Sequence, residues 1–166
     1  LEVGQVVKGQ LPARRITIFE NQAPFLDYID GAPRDELVVF ARGQATWAVV
    51  MLLRMCAPAA LPIRHSGDLD RSGVLILRSL ARRAHVAIAP WCMDVATHRR
   101  FASAGRAIDS EERVRLARLD AVDDPADLAH DLLVELHTTG MWIEQEIFSH
   151  LLLRPGDDDP AHGESP

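Results

Sequence analysis

Short apolar runs alternate with segments of helical periodicity along the first half of the chain, and this alternation constrains the fold more than any other feature. The runs are rich in β-branched residues and continuously apolar, as expected of strands buried on both faces of a parallel sheet. They lie at residues 15–20, 37–40, 63–65 and 86–89. Helices are predicted between them, at residues 21–29, 44–56 and 71–84. The pattern predicts an α/β fold with a mostly parallel four-stranded sheet flanked by helices.

The second half of the chain is predicted to be helical. A capping box at Asp109 opens a helix to about residue 119, and Asp124 and Pro125 open another. A last helix is predicted over 141–153, after Gly140. These patterns give the fold a helical C-terminal part.

Three segments of the chain are distinguished by their composition. Residues 1–13 have no clear periodicity and are predicted to be an entry segment or linker from a missing N-terminal region. Residues 14–153 form one α/β domain, and residues 154–166, rich in Pro, Gly, Asp and Ser, are predicted to be a disordered tail.

The composition excludes several classes of protein. Hydrophobic residues make up 48% and charged residues 25% of the chain, the balance of a soluble globular domain. The longest apolar run, Ala45–Leu53, is about half as long as a membrane-spanning helix, so no membrane association is expected. Two cysteines form no disulfide framework, which favours a cytoplasmic location. A net charge of −6 argues against a freestanding nonspecific nucleic-acid binder, but it is compatible with a nuclease whose acids gather at a metal site.

Three acidic residues follow predicted strands, at the edge of a parallel sheet where ligands bind. Glu20 closes the first strand, and Asp68 and Asp70 follow the third in Gly67-Asp-Leu-Asp-Arg-Ser-Gly73. Residues two apart in an extended segment point the same way, and Glu20 can share their site only if the first and third strands are neighbours. A divalent cation would relieve the repulsion between these carboxylates and would suit phosphodiester hydrolysis. The alternative is that Asp70 caps the next helix and Asp68 caps a turn.

These motifs resemble those of a Toprim domain. The match is carried by Phe19-Glu20-Asn21, Gly43-Gln44, the Gly67–Gly73 stretch and Trp142-Ile-Glu-Gln-Glu146. Within that family the chain is similar to the C-terminal domain of the Wadjet plasmid-defence nuclease subunits (the JetD branch) and to topoisomerase VI A subunit-like proteins. The resemblance covers residues 14–153 and implies a Toprim-like, Rossmann-like catalytic domain there.

The resemblance implies metal-dependent cleavage of DNA in a plasmid- or phage-defence complex. Asp68 and Asp70 would hold Mg²⁺ or Mn²⁺. Glu20 would be either a further metal ligand or the general acid/base. Glu144 or Glu146 would complete the metal site, or else both are surface charges on a helix.

The nucleophile and the partners are also implied by the resemblance. The topoisomerase branch uses a tyrosine from a separate DNA-binding domain, whereas the single tyrosine here, Tyr28, ends a short predicted helix. Either water is the nucleophile, or a missing N-terminal region supplies what is needed, and water is the one expected. The family implies DNA as substrate, a homodimer, SMC-like complex subunits as partners, and DNA-binding and dimerisation domains upstream. The alternative is a non-catalytic Toprim-like module for dimerisation or DNA binding.

Basic and aromatic residues add two further expectations. Arg71, Arg78 and Arg82 share one stripe of the predicted helix after Asp70. The stripe is either a row of phosphate contacts that guide DNA or a solvated arginine face. The tryptophans, at positions 47, 91 and 142, are predicted to be packing residues.

Overall fold

A four-stranded parallel sheet forms the centre of the molecule in the computed structural model, which describes residues 13–122 and 127–153. The strand order is β2-β1-β3-β4, with β1 at Arg15–Phe19, β2 at Glu36–Phe40, β3 at Ile63–Ser66 and β4 at Ala89–Pro90. The predicted α/β fold with a mostly parallel four-stranded sheet is confirmed. Residues 1–12 of the predicted entry segment, the tail at 154–166, and the helix start at Asp124 and Pro125 lie outside the described residues.

Helices connect the strands and make up most of the C-terminal part. The first three are α1 (Gln22–Ile29), α2 (Trp47–Cys56) and α3 (Arg71–Ala84). They are followed by α4 (Val95–Phe101), β5 (Arg106–Ala107), α5 (Ser110–Val122), α6 (His130–Thr139), β6 (Met141–Trp142) and α7 (Gln145–Leu152). In the described part of the chain, no helix combines the length and apolar character needed to cross a membrane.

The strand order creates a topological switch point between β1 and β3. The chain leaves β1 through α1 to reach β2 on one side, and then returns through α2 to β3 on the other side. Right-handed crossovers in opposite directions place α1 on one face of the sheet and α2 with α3 on the other. The connections that follow β1 and β3 therefore diverge, which opens the crevice where sheets of this class bind ligands.

Strand β1 is covered on both faces, as its continuous apolar sequence predicts. Ile16 and Ile18 point to one face and Thr17 and Phe19 to the other, and all four are fully buried. On the α1 side, the Phe19 ring packs against that of Tyr28, with 5.0 Å between the ring centroids. The central strand is therefore held rigidly, together with the residue that follows it.

Three helices begin later than the sequence predicts. The helix predicted to open at residues 124–125 is α6, which starts at His130 after a turn at 127–129. Helix α2 starts at Trp47 and not at residue 44, because the Thr46 side chain accepts a hydrogen bond from Val49 N at 3.4 Å and caps it. The last helix starts at Gln145 and not at residue 141, because Met141–Trp142 pair with Arg106–Ala107 in a small antiparallel sheet.

The region between α3 and α5 also departs from the prediction. Strand β4 is only two residues long and lies at Ala89–Pro90 instead of 86–89. Helix α4, which the sequence did not predict, follows it and is capped by Asp94, whose Oδ1 accepts a hydrogen bond from Thr97 N at 2.7 Å. Its seven residues contain histidine and two arginines, so it lacks the apolar periodicity that identifies a helix.

A buried carboxylate joins α1 to the sheet. The Glu36 side chain is only 1% exposed and lies 3.1 Å from the Arg64 guanidinium. Glu36 also accepts hydrogen bonds from Tyr28 Oη at 2.8 Å and from the Thr17 hydroxyl. The Arg64 guanidinium carbon lies 3.4 Å from the Trp91 ring centroid, so the pair is enclosed by aromatic side chains. This ion pair is buried, so loss of one partner would leave the other charge buried and unpaired.

We expect Glu36→Gln to lower the free energy of unfolding by about 3 kcal/mol, because it leaves the Arg64 charge without its counter-ion. The matched control is Glu111→Gln, which removes a carboxylate that is 76% exposed and paired with Arg115. The control should lose less than about 1 kcal/mol. Equilibrium urea unfolding of both variants measures the difference, and equal losses would contradict the buried-pair interpretation.

Candidate metal centre

The carboxyl ends of β1 and β3 bring Glu20 against the loop that carries Asp68 and Asp70. The Phe19–Ser66 register of the β1–β3 pair is followed by a hydrogen bond from Glu20 N to Ser66 O at 3.0 Å. Glu20 is therefore held level with the first residue of the acidic loop. The condition that the first and third strands be neighbours is met.

The two glycines of the motif leave the space that the Glu20 carboxylate occupies. A Cβ atom at Gly67 would lie 2.2 Å from Glu20 Oε2. A Cβ atom at Gly73 would lie 3.3 Å from the same oxygen and 2.3 Å from the Asp68 carbonyl oxygen. Neither glycine has a positive φ, so close packing and not backbone conformation accounts for them. The loop folds tightly over Glu20.

Glu20 is buried beside other negative charges. It is 6% exposed, and its Oε2 has no hydrogen-bond partner among the described residues. Burial raises the pKa of Glu20 from 4.5 to about 8, and the charges of Asp68 and Asp70 add to this effect. Without a cation, Glu20 is therefore mostly protonated at neutral pH.

Asp68 and Asp70 are each oriented by hydrogen bonds. Asp68 Oδ1 accepts from Asn21 Nδ2 at 2.7 Å and from Gln145 N at 2.8 Å. Asp70 Oδ1 accepts from Gly73 N at 2.6 Å and caps α3, which is the contact that the capping alternative predicted. Burial nevertheless raises the pKa of both carboxyls, against the lowering effect of these hydrogen bonds.

Gln145 is the site residue that the sequence analysis missed. It is fully buried at the start of α7, where its N–H donates to Asp68 and its Oε1 accepts from Asn21 N at 3.2 Å. Hydrogen bonds of 2.9 and 3.2 Å between Leu69 and Ile143 hold this segment against the acidic loop. In the Glu-Gln-Glu segment the sequence points to the two carboxylates, because carboxylates and not amides are the usual ligands of Mg²⁺.

The glutamates on either side of Gln145 lie at the rim of the site. Glu144 is 3.1 Å from the Arg106 guanidinium, and its charge contributes to the raised pKa of Asp68. Glu146 is exposed, and its charge contributes to the raised pKa of Glu20. Both therefore affect the site through their charge.

The predicted arginine stripe is directed largely toward the C-terminal helices. Arg71 lies 3.6 Å from Glu112 of α5, and Arg78 Nε donates to Leu128 O at 2.8 Å. Arg82 is exposed and lines a cavity of about 350 Å³. Two of the three side chains thus make contacts within the domain.

The acidic edge fits a divalent cation in its donor chemistry without forming a complete cage. Within residues 13–122 and 127–153, no three His, Cys, Asp or Glu side chains are arranged to hold a metal ion as they stand. Mg²⁺ needs only one or two carboxylates and keeps several waters, so a complete cage is not required. Three buried polar atoms at this edge lack hydrogen-bond partners among the described residues: Glu20 Oε2, Ser66 Oγ and Gln145 Nε2. A bound cation would offset the negative charge of these carboxylates, and its waters would provide hydrogen-bond partners for the unpartnered polar atoms.

Comparisons with known proteins give one family and one curated relative. The family model described as "Protein of unknown function C-terminus (DUF2399)" matches residues 1–155. The chain is also similar to the Wadjet protein JetD of Bacillus cereus (strain Q1), with 30% identity over 87 residues. The aligned part is 52% of this chain and 21% of that relative, so the chain spans only about a fifth of the relative's length.

We expect Gly73→Ala to destabilise the domain by about 2 kcal/mol, because its Cβ would collide with the Asp68 carbonyl oxygen. An ordinary Gly→Ala change in a helix would instead stabilise it by up to about 1 kcal/mol. Gly31→Ala is the control, since a Cβ there has nothing within 4 Å, and it should change stability by less than about 0.5 kcal/mol. Chemical denaturation measures both variants, and a stabilised Gly73→Ala variant would contradict the packing argument.

Stability should depend on pH through Glu20. Because folding raises the pKa of Glu20 from 4.5 to about 8, its ionisation opposes folding, and stability is lost as pH rises through this window. The slope is at most about 1.4 kcal/mol per pH unit for one proton. In chelator-containing buffer, we expect the Glu20→Gln variant to become progressively more stable than the wild type between pH 5 and pH 8, the range between the two pKa values of Glu20. Thermal unfolding of both proteins at several pH values measures the difference. A constant difference between the two proteins would show that Glu20 titrates normally.

Proposed function

The chain belongs to the DUF2399 C-terminus family, and from this premise we propose that it is a divalent-metal-dependent DNA-cleaving domain of the Toprim type. The observation that carries the proposal is the buried carboxylate of Glu20, whose Oε2 has no hydrogen-bond partner among the described residues, beside Asp68 and Asp70 at the switch point of the sheet. The similarity to the Wadjet protein JetD supports a role in a plasmid- or phage-defence complex.

In this proposal Asp68 and Asp70 hold Mg²⁺ or Mn²⁺, and Glu20 is either a further ligand or the general acid/base. When bound, such an ion would stabilise negative charge on a phosphate and lower the pKa of a bound water. Asn21 and Gln145 fix the orientation of the Asp68 carboxylate. The cap contact with Gly73 N fixes that of Asp70.

The protonation of Glu20 suits either role. With a pKa of about 8, its carboxyl group holds a proton near neutral pH and can exchange it without a large energetic cost. A cation at the edge would instead favour the ionised form, because it offsets the charges of Asp68 and Asp70. As a metal ligand, Glu20 would lose its proton when the cation binds. As the general acid/base, it would exchange its proton during the reaction.

Water is the proposed nucleophile. Tyr28, the single tyrosine of the chain, is 3% exposed and donates its hydroxyl hydrogen bond to Glu36 at 2.8 Å. Burial and this hydrogen bond raise the pKa of Tyr28 to about 12, so its phenolate is disfavoured. Hydrolysis therefore suits this chain better than a covalent tyrosine intermediate.

The substrate-binding context is expected to come from a larger protein. Because the chain spans about a fifth of the JetD length, we propose that DNA-binding and dimerisation domains precede it in the whole protein. A homodimer with SMC-like complex partners is part of the same proposal.

A non-catalytic module for dimerisation or DNA binding is the second candidate. It is favoured by the cap contact of Asp70, which gives this carboxylate a structural role in the absence of any ion. In that case Asp68 would serve only to join Asn21 to Gln145. The two candidates differ in whether the acids bind a divalent cation.

We expect calorimetric titration with Mn²⁺ to show binding to the wild type and none to Asp68→Asn or Glu20→Gln. The matched control is Asp94→Asn, because Asp94 caps α4 with the same backbone geometry as Asp70 but lies outside the acidic cluster. The control should bind Mn²⁺ like the wild type. Equal binding by all four proteins would place any site elsewhere, and no binding by a folded wild type would favour the non-catalytic module.

In the whole protein, the same substitutions should affect cleavage of plasmid DNA. Asp68→Asn and Glu20→Gln should slow cleavage by at least about a hundredfold, whereas Asp94→Asn should not. Wild-type rates in both site variants would sink the nuclease proposal.

A further inference from the structure

Trp47 is an exposed aromatic residue at the start of α2. It was predicted to be a packing residue, but it is 63% exposed, more than any other large hydrophobic side chain in the described part of the molecule. It opens α2 directly after the loop at 41–46. Within that loop, Gly43 N donates to Glu20 O at 3.0 Å. The indole therefore stands at the same edge of the sheet as the acidic cluster.

One arginine lies near the indole, and a second arginine is hydrogen-bonded to the same segment. The Arg54 guanidinium carbon lies 5.9 Å from the Trp47 ring centroid. Arg54 donates to the Arg83 carbonyl oxygen at 3.0 and 2.6 Å, and Arg83 in turn donates to the Ala45 carbonyl oxygen. Carbonyls orient these side chains without neutralising them, and neither arginine is paired with a carboxylate of the described residues.

Positive charge is concentrated in the segment that builds this face. Between Glu36 and Asp94 the sequence contains seven arginines and two acids, Asp68 and Asp70. Three of these arginines, Arg64, Arg71 and Arg78, pair with acids of other elements, whereas Arg54 and Arg83 bond to main-chain carbonyls. The whole chain nevertheless has a net charge of −6. A polyanion would meet positive charge on α2 and at the end of α3, while the start of α3, capped by Asp70, belongs to the acidic edge.

The patch has the composition of a nucleic-acid contact and not that of a protein interface. The other exposed large hydrophobic residues of the described part lie on α1, α5 and α6 or after α7: Leu26, Ile29, Val114, Val134 and Leu153. None of them extends an apolar surface around Trp47, and the centre of a protein interface uses several contiguous apolar side chains. A single aromatic ring flanked by arginines is typical of contacts to unpaired bases and their phosphates.

We propose that the Trp47 patch, comprising Trp47, Arg54 and Arg83, binds an unpaired DNA strand. A base stacks on the exposed indole, and the arginines contact the flanking phosphates. The inference rests on the proposed function, and it assigns the form of DNA that reaches the Glu20 edge: a strand that is single, melted or frayed.

The test measures binding of a fluorescein-labelled oligothymidylate by anisotropy, at low salt and in EDTA. Trp47→Ala should weaken binding about tenfold or more, and Trp47→Phe should stay within about threefold of the wild type. An abasic strand of equal length should bind equally to the wild type and to Trp47→Ala, because it has no base to stack. Val114→Ala on α5, which removes another exposed side chain, should bind like the wild type.

The arginine contribution is measured with Arg83→Gln against Arg118→Gln, which changes an exposed arginine of α5. Only Arg83→Gln should weaken binding and reduce its dependence on salt concentration.

Three results would overturn the inference. The first is that the wild type does not bind the oligonucleotide. The second is that Trp47→Ala binds it with the same affinity as the wild type. The third is that Trp47→Ala binds DNA normally but loses self-association in sedimentation, which would make the patch a protein interface. Because EDTA removes any contribution of a metal ion, the binding experiment tests the Trp47 patch alone. The nuclease proposal is tested separately, by Mn²⁺ titration and by plasmid cleavage.

Discussion

The pairing of β1 with β3 is the constraint on which the candidate site depends. It places Glu20 level with Ser66, so that the loop leaving β3 must pass over the Glu20 side chain. Only residues without a Cβ fit at Gly67 and Gly73, and the path that they allow brings Asp68 to Asn21 and Gln145. One strand register thus fixes the first acid, the loop with the other two, and the start of the last helix.

Two buried glutamates of the domain show how differently the fold treats the same side chain. Glu36 lies beside the guanidiniums of Arg64 and Arg15, at 3.1 and 3.7 Å, and accepts a hydrogen bond from Tyr28. Glu20 is surrounded by Asp68 and Asp70 instead, and its Oε2 has no hydrogen-bond partner among the described residues. A carboxylate buried without compensation destabilises a fold, and such sites concentrate where chemistry occurs. Glu36 serves the structure, whereas the surroundings of Glu20 are those that the proposed function requires.

The sequence predicts the sheet and the acidic loop because both depend on local patterns. Continuous apolar runs identify β1 and β2, and the glycines at positions 67 and 73 mark where the loop packs closely. Gln145 escapes such reasoning because its contact with Asp68 joins residues 77 positions apart, and its type does not suggest a ligand. Trp47 escapes it for another reason. The apolar composition of α2 predicts burial all round, but the helix begins at Trp47, where no preceding turn covers the side chain.

The arginines on the two sides of the acidic edge have different kinds of partner. Arg71 and Arg78, which the helical stripe singles out, are drawn toward α5 and the Leu128 segment. Arg54 and Arg83 are held instead by main-chain carbonyls on the α2 side. Hydrogen bonds to carbonyls orient a guanidinium and leave its charge, whereas a carboxylate partner cancels much of it. The guanidinium groups that bond to carbonyls therefore lie on the α2 side. If the proposed function holds, the DNA strand reaches the Glu20 edge across Trp47.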